Sequence, residues 1–209
     1  MRRIHCQINE QEEMVRILAS TNVGRMATLD AQGYPYITPV NFVYHRGRVY
    51  FHSSPKGEKL DNLARNPKVG FEVDLPLAYI EVAFNEAGNP CNTHQCYRSV
   101  IIRGTASIVT DGELKLAALN ALVAKHEGHG DFPRVRADNP EFKACAVIEI
   151  KPESMTGKAD FMQNKPKDGR RREVADHLAR RGRPADLETV RGMGFDLAGG
   201  PETGWRVTD

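Results

Sequence analysis

One stretch, residues 49–67 (VYFHSSPKGEKLDNLARNP), constrains the fold more than any other part of this chain. Its first three residues are β-branched or aromatic, which is typical of a buried strand. Pro55 and Gly57 then interrupt the extended run, and the leucines and alanine that follow recur at i, i+3 and i+4, the spacing of a helix face. The stretch therefore predicts a buried strand that leads through a polar turn into a helix over residues 58–66.

Hydroxyl groups and lysines gather at this predicted corner. Ser53 and Ser54 follow the strand, and Lys56 and Lys59 flank the start of the helix. Helix N-terminal N–H groups, hydroxyl groups and ammonium groups all bind phosphate. The corner therefore predicts an anion site, although a strand, a polar turn and a helix also occur together in many α/β proteins that have no such site.

The segments before the corner predict an antiparallel meander. Residues 25–29 and 34–44 are β-rich and are joined by the turn DAQG, and residues 45–48 turn the chain back again. Pro35 and Pro39 lie within the second of these segments, which favours an edge strand, a bulge or a backbone left free to contact a ligand.

The remaining segments continue this β-rich pattern and add helices. Asn9 is a candidate cap for a first helix with Met14, Ile17 and Leu18 on its apolar face, and Gly104 is a candidate bulge. The other predicted strands cover residues 68–73, 79–84, 98–109 and 144–150, and a helix is predicted over residues 113–125. Residues 85–95 are predicted to form a loop.

Composition favours a globular cytoplasmic protein. Hydrophobic residues make up 40% and charged residues 27% of the 209 residues, and we identify neither a membrane-spanning run nor a signal peptide. The net charge of +2 argues against a nucleic-acid partner. The four cysteines form no paired framework, and the spacing of Cys91 and Cys96 around His94, with His126 and His129 further on, is not that of a usual zinc site. No metal is expected.

Several motifs flank the corner in a fixed order. GRMATLDAQGYPYITPVNFVY precedes it, YFHS lies within it, CYRSVIIRGTASIV follows, and TGKA ends the pattern, which spans residues 24–159. Together they resemble the pyridoxamine 5'-phosphate oxidase-like FMN-binding split-barrel superfamily and, within it, the nitroimidazole-resistance (Nim) group. The resemblance implies a mainly β fold, an antiparallel split β-barrel with flanking helices. It places the FMN-binding domain at residues 1–159 and leaves a charged C-terminal extension, residues 160–209, with apolar residues spaced for two short helices.

The resemblance also implies that FMN lies at a homodimer interface. With Lys56 added from the corner itself, the implied FMN-binding residues are Thr38, Pro39, Val40, Asn41, Phe42, His52, Ser53, Lys56, Lys59 and Ser99. In this set the backbone of residues 38–42 would line the flavin ring, Lys59 would bind the phosphate, and Ser99 would reach across the dimer. His52 is the catalytic candidate, because an imidazole can donate to a nitro or carboxylate oxygen as negative charge develops there.

Two departures argue against oxidation of vitamin B6. Glu58 stands where these oxidases typically place an arginine, leaving Lys56 or Arg48 as substitutes, and the ending GWRVTD lacks their arginine- and histidine-bearing segment. The leading hypothesis is an FMN-dependent oxidoreductase that takes electrons from a nicotinamide donor and reduces a small nitroaromatic acceptor. The alternatives are a haem-binding split barrel, with His94, His126 or His129 as axial ligand, and a flavin-binding protein without turnover.

Overall fold

The computed structural model describes residues 3–84, 88–128 and 131–208. The strands, in chain order, are β1 (Gln7–Ile8), β2 (Val23–Leu29), β3 (Pro35–Asn41), β4 (Val43–His45), β5 (Arg48–Ser53), β6 (Lys68–Ile80), β7 (His94–Ile108), β8 (Ala146–Asp160), β9 (Asp196–Gly200) and β10 (Gly204–Thr208). The α-helices are α1 (Gln11–Ser20), α2 (Glu58–Arg65), α3 (Gly112–Glu127), α4 (Pro140–Ala144), α5 (Arg172–Arg181) and α6 (Pro184–Gly192).

One sheet contains eight of these strands. Its order is β3-β2-β6-β7-β8-β5-β4, with β1 paired to β8, while β9 and β10 form a separate hairpin. The pairs β2–β3, β2–β6, β4–β5, β5–β8 and β1–β8 are all antiparallel. The predicted mainly β architecture, an antiparallel sheet with flanking helices and a C-terminal extension, is confirmed. Of the three alternatives for the segment with Pro35 and Pro39, the structure shows the edge strand, because β3 lies at one end of the sheet order.

The chain divides into two compact units, and three long strands, β6, β7 and β8, contribute residues to both. The first unit consists of Met1–Asn9, Asp74–Ser99 and Gly157–Asp209, and the second of Glu10–Val73 and Val100–Thr156. In the second unit α3 packs on β4 and β5, where Val43, Tyr50 and Leu119 belong to one buried cluster. This packing holds β5 at Tyr50, in the strand that leads into the predicted anion corner.

In the first unit, helices of the C-terminal extension bind residues of β6. The hydroxyl of Thr189 on α6 accepts a hydrogen bond from the backbone N–H of Ala78 at 3.0 Å. Arg181 on α5 pairs with Asp186 at 2.5 Å and with Glu81 at 2.9 Å. The domain boundary proposed after residue 159 stays a prediction.

Some predicted element boundaries are wrong. Residues 68–73 and 79–84 were expected to form separate strands, but β6 runs unbroken to Ile80, with Pro76 exposed inside it, and Val82–Phe84 is a 3-10 turn. The final strand predicted at residues 144–150 continues to Asp160, and β9 and β10 follow it. Turn-forming residues in the sequence predicted interruptions in β6 and β8 that the structure does not show. Pairing with neighbouring strands keeps these long strands extended.

Three smaller expectations have mixed outcomes. Helix α1 begins at Gln11 after Glu10, so Asn9 is not its cap, but its predicted apolar face is buried. The segment predicted at residues 34–44 is divided at Phe42 into β3 and β4. Gly104 marks a close backbone approach, since a Cβ there would lie 2.1 Å from the carbonyl oxygen of Lys151.

Candidate functional site

The corner between β5 and α2 presents helix N–H groups that have no acceptor within the helix. Gly57 precedes the helix with a φ of 137°, a conformation that favours glycine, and its carbonyl accepts from Leu60 N at 2.9 Å and Asp61 N at 3.2 Å. No side chain in the described part of the chain caps the helix. The N–H groups of Glu58 and Lys59 at the first two helical positions therefore have no intrahelical acceptor and can bind an anion.

Lys59 and Ser53 meet at this corner. The Lys59 ammonium donates a hydrogen bond to the Ser53 hydroxyl, with 3.2 Å between Nζ and Oγ. Ser53 is buried and Lys59 is half-buried, while Lys56 in the turn is exposed. The ammonium keeps further N–H donors and the hydroxyl keeps its own proton, so the pair can donate together to one phosphate.

A buried amide fixes α2 against the sheet. Asn62 is fully buried, and its Nδ2 donates to Thr28 Oγ1 on β2 at 3.0 Å. Arg65 donates a hydrogen bond to the side-chain oxygen Oδ1 of Asn62. Thr28 Oγ1 in turn donates to the backbone oxygen of Tyr36 on β3 at 3.4 Å. Sequence reasoning missed these positioning residues. The sequence feature that could have indicated them is Asn62 itself, a polar residue next to Leu63 on the apolar side of the predicted helix.

Strand β3 supplies an unusual buried hydroxyl. Thr38 Oγ1 is buried and finds no hydrogen-bond partner among the described residues. Buried polar atoms are nearly always paired, so this hydroxyl is available to hydrogen-bond a ligand or a water molecule. Strand β3 also contacts β5. Val40 is buried, whereas Pro39 and Asn41 are exposed on the opposite face of the strand.

Phe42 is a core side chain. It is fully buried, its ring lies edge-on to Phe71 with the centroids 5.0 Å apart, and Lys125 Nζ is 3.6 Å from its ring centroid. Its carbonyl oxygen lies 3.3 Å from His126 Nε2. Only the backbone of Phe42 is thus available to line a ligand.

His52 and Ser53 point to opposite faces of β5. The His52 side chain is exposed and its strand partner is Val147, whereas the flanking Phe51 and Ser53 are buried. The exposed imidazole is accessible to a small molecule. Ser99 is half-buried on β7 and belongs to the first compact unit, whereas the other predicted site residues all belong to the second.

Arg48 does not replace the cation missing at Glu58. It begins β5, at the opposite end from Ser53, and its guanidinium pairs with Glu149 at 2.6 Å. The Tyr50 hydroxyl donates to the same carboxylate at 2.8 Å, and burial, followed by that hydrogen bond, raises the pKa of Tyr50 to about 12. Of the two cations suggested as substitutes, Lys56 is the one that lies in the corner, where it is exposed.

The histidines and cysteines do not assemble a metal site in the described parts of the chain, where no cluster of three potential ligands occurs. His94 Nε2 lies 3.0 Å from Asp160, and His126 Nε2 contacts the Phe42 carbonyl. His129 lies outside the described residues. Iron ligation by His94 or His126 would require Nδ1 or the loss of an existing contact.

Comparison with known proteins identifies one family. The model of the pyridoxamine 5'-phosphate oxidase family matches residues 10–159, which include β2 to β7, most of β8 and the whole corner. Among curated proteins, a 5a,11a-dehydrotetracycline/5a,11a-dehydrooxytetracycline reductase from Streptomyces rimosus is 30% identical over 105 residues, 48% of this chain and 65% of that protein. The match therefore spans less than two thirds of that relative's length.

Two solved structures share the fold. A candidate 5-nitroimidazole antibiotic resistance protein from Bacteroides thetaiotaomicron superposes with a TM-score of 0.62 at 24% identity, covering 73% of this chain and 86% of that one. A flavocytochrome from Azotobacter vinelandii also gives 0.62 at 24% identity, covering 77% and 72%. These similarities confirm the predicted split barrel.

No described helix has both the length and the apolar character needed to span a membrane.

Proposed function

The chain belongs to the pyridoxamine 5'-phosphate oxidase family, and from that membership we propose that it is an FMN-dependent oxidoreductase that reduces a small, electron-poor acceptor. The observation that most supports this proposal is the corner at which Lys59 donates to Ser53 beside an uncapped helix N-terminus. The reductase from Streptomyces rimosus, at 30% identity, supports the class of reaction.

The residues at the corner fit the phosphate of FMN. Lys59 Nζ, Ser53 Oγ and the first N–H groups of α2 would donate to its oxygens, and exposed Lys56 would add a second positive charge. The unpaired Thr38 hydroxyl and the backbone of residues 38–42 would contact the flavin ring. Glu58 and Asp61 fit a phosphate less well, because they place two exposed carboxylates in the first turn of the helix.

When bound, FMN would supply two-electron transfer from a nicotinamide donor to the acceptor. The protein's own task would then be to hold the acceptor and provide a proton. The exposed imidazole of His52 is the proposed donor, since it can hydrogen-bond a nitro or carbonyl oxygen as negative charge develops there. Such an oriented donor typically accelerates proton transfer by about 10²- to 10⁴-fold.

Nitroaromatic compounds and unsaturated cyclic ketones are the proposed acceptors. The first follows from the motifs shared with the nitroimidazole-resistance group, and the second from the relative that reduces a dehydrotetracycline. Vitamin B6 is not proposed, because Glu58 stands where these oxidases typically place an arginine. We assign the reaction to the cytoplasm, which supplies reduced nicotinamides and keeps cysteines such as the four here unpaired.

Haem binding is the weaker alternative for this chain. The flavocytochrome from Azotobacter vinelandii is similar in fold, but the Nε2 atoms of His94 and His126 already have partners within this protein. These contacts favour flavin as the cofactor.

The absorption spectrum of the purified protein, followed by a turnover assay, tests the proposal. We expect flavin bands, and nicotinamide-dependent reduction of nitrofurazone or of an unsaturated cyclic ketone. A strong Soret band or a failure to bind added FMN would overturn the cofactor assignment. Bound FMN without turnover of either acceptor class would leave a flavin-binding protein and overturn the enzymatic assignment.

A further inference from the structure

The first compact unit contains a cavity of about 400 Å³ that involves none of the residues proposed to hold FMN. Its wall includes Arg3, His94, Asp160, Met162, Lys165 and Arg170. This volume lies within the range of small-molecule binding pockets. Three of these six side chains are cationic and one is a carboxylate.

The carboxylate of Asp160 already has partners in the wall of the cavity. Asp160 is only 4% exposed and accepts hydrogen bonds from His94 Nε2 at 3.0 Å, Arg3 at 3.5 Å and the backbone N–H of Met162 at 3.4 Å. The buried thiol of Cys6 also hydrogen-bonds Asp160, and burial, followed by the charge of that carboxylate, raises the pKa of the thiol. Asp160 therefore organises the wall and leaves the cavity with an excess of positive charge.

The wall after Asp160 is a constrained turn. Met162 has a φ of 61°, in the left-handed region that side chains other than glycine rarely occupy. Its carbonyl accepts from Lys165 N at 2.8 Å, and Gln163 bonds both Phe161 N at 2.7 Å and the Ala159 carbonyl at 2.9 Å. Strained backbone of this kind is concentrated at binding sites.

The turn carries Lys165 to the cavity, where the lysine has no carboxylate partner within the described ranges. Arg170 shares its guanidinium between Glu173, at 3.2 Å, and the backbone oxygen of Phe84. Because a guanidinium has five N–H donors, Arg170 retains some for a ligand. Ile80 and Met162, both buried, add an apolar portion to the wall.

We propose that this cavity binds a small organic molecule that carries a carboxylate or phosphate group, with the anion between Lys165 and Arg170 and the apolar part against Ile80 and Met162. The assignment is independent of the flavin corner, because the two sites share no residue. Lys165 is the side chain to test, since it is exposed and its removal breaks no described contact of the fold.

Titration of FMN-loaded protein with benzoate, inorganic phosphate and neutral benzamide tests the proposal, with amide NMR shifts to locate the bound probe. Loading with FMN keeps the probes from the flavin corner. We expect saturable binding of benzoate or phosphate, with shifts at residues 92–94 and 160–165, and binding about tenfold weaker in Lys165→Ala.

Lys167→Ala is the matched control, because it removes the same charge two residues from Lys165. The Lys167 side chain lies over Phe195 and does not line the cavity. The affinity of the Lys167→Ala variant for the anions should stay within twofold of that of the wild type. Equal binding of benzamide and benzoate, no saturable binding of either anion, or equal losses in the two lysine variants would each overturn the proposal. If the Lys59 corner fails to bind FMN, the proposal for this cavity is unaffected. The titration can then be repeated without flavin, with the shifts of the same backbone amides as the readout.

Discussion

Lys125 shows how a single buried charge links stability to pH. Its Nζ donates to the Leu18 carbonyl at 2.9 Å, and burial lowers the pKa of its ammonium from 10.5 to about 8. Between these two values the unfolded chain binds a proton that the folded chain does not. The contribution of Lys125 to the free energy of unfolding therefore rises as pH increases from about 8 to 10.5, and is constant below that interval.

Lys125→Met should abolish this rise, because methionine keeps an apolar stem beside Phe42 but carries no titrating group. Urea denaturation from pH 7 to 10.5 measures it. The difference in unfolding free energy, wild type minus variant, should increase with pH across the upper part of the range. A difference that stays constant would contradict the assigned burial. Lys143→Met, which removes an exposed lysine, serves as the control.

The proposed role of His52 as proton donor also depends on a single side chain, an exposed imidazole. His52→Ala should retain FMN and lose about 10²-fold or more in kcat for an electron-poor acceptor, as expected when a positioned proton donor is removed. Steady-state assays at saturating donor measure the loss. Turnover equal to that of wild type would reduce His52 to an ordinary residue at a strand end.

At the scale of elements, helix α2 is positioned by one polar contact rather than by apolar packing alone. The Asn62 amide reaches Thr28 on β2, so the N-terminus of the helix is held at a fixed place beside the end of β5. A buried amide is suited to this role, because losing its partner leaves a desolvated group unpaired. The geometry of the anion corner therefore depends on a contact outside it.

Asn62→Ala should lower the free energy of unfolding by about 1 to 3 kcal/mol, the cost of leaving the partners of a buried hydrogen bond unsatisfied. FMN affinity should fall as well, because the helix N-terminus is no longer held in place. Chemical denaturation and flavin titration measure the two effects. The control Ala64→Gln changes an exposed residue in the second half of the same helix, away from its N-terminus, and should shift stability by no more than about 0.5 kcal/mol. Equal effects of the two substitutions would contradict this role for Asn62.

The sequence predicted the corner because its signals are local. Helical spacing, Pro55 and Gly57 lie within one short stretch, and the strand and helix occur where they were expected. The contact between Asn62 and Thr28 joins residues 34 positions apart, so no periodicity reveals it. The continuity of β6 through Pro76 was missed for the same reason, because neighbouring strands keep a segment extended that looks broken when read alone.

Across the whole molecule, β2 and β3 expose a largely apolar face, which also carries Arg25 of the Arg25–Glu72 ion pair. Val23 and Leu29 on β2 are 46% and 42% exposed, and Ile37 on β3, whose strand partner is Ala27, is 61% exposed. Side chains at alternate positions of paired strands share one face of a sheet. We propose that a second copy of the chain covers this face in a homodimer, the assembly that the family resemblance implies.

Ile37→Lys should shift the protein toward monomer, because it places a charge in the apolar centre of the proposed interface. Light scattering at micromolar concentration measures the mass. Gln32→Lys adds a charge in the exposed turn between the two strands and should leave the dimer intact. A wild-type protein that is monomeric under these conditions would remove the proposed dimer, and with it the placing of Ser99 in a partner's site.

FMN titration of Lys59→Ala tests the central claim most directly, that the corner between β5 and α2 binds the flavin phosphate. The variant loses the ammonium that donates to Ser53 while alanine preserves the helix. Losing one hydrogen bond to a charged group costs about 1.5 to 3 kcal/mol, which weakens FMN binding by roughly tenfold to hundredfold. Riboflavin, which lacks the phosphate, should bind wild type and variant equally, and Lys143→Ala should bind FMN as wild type does. Unaltered FMN affinity in Lys59→Ala, or an equal loss for riboflavin, would contradict the claim.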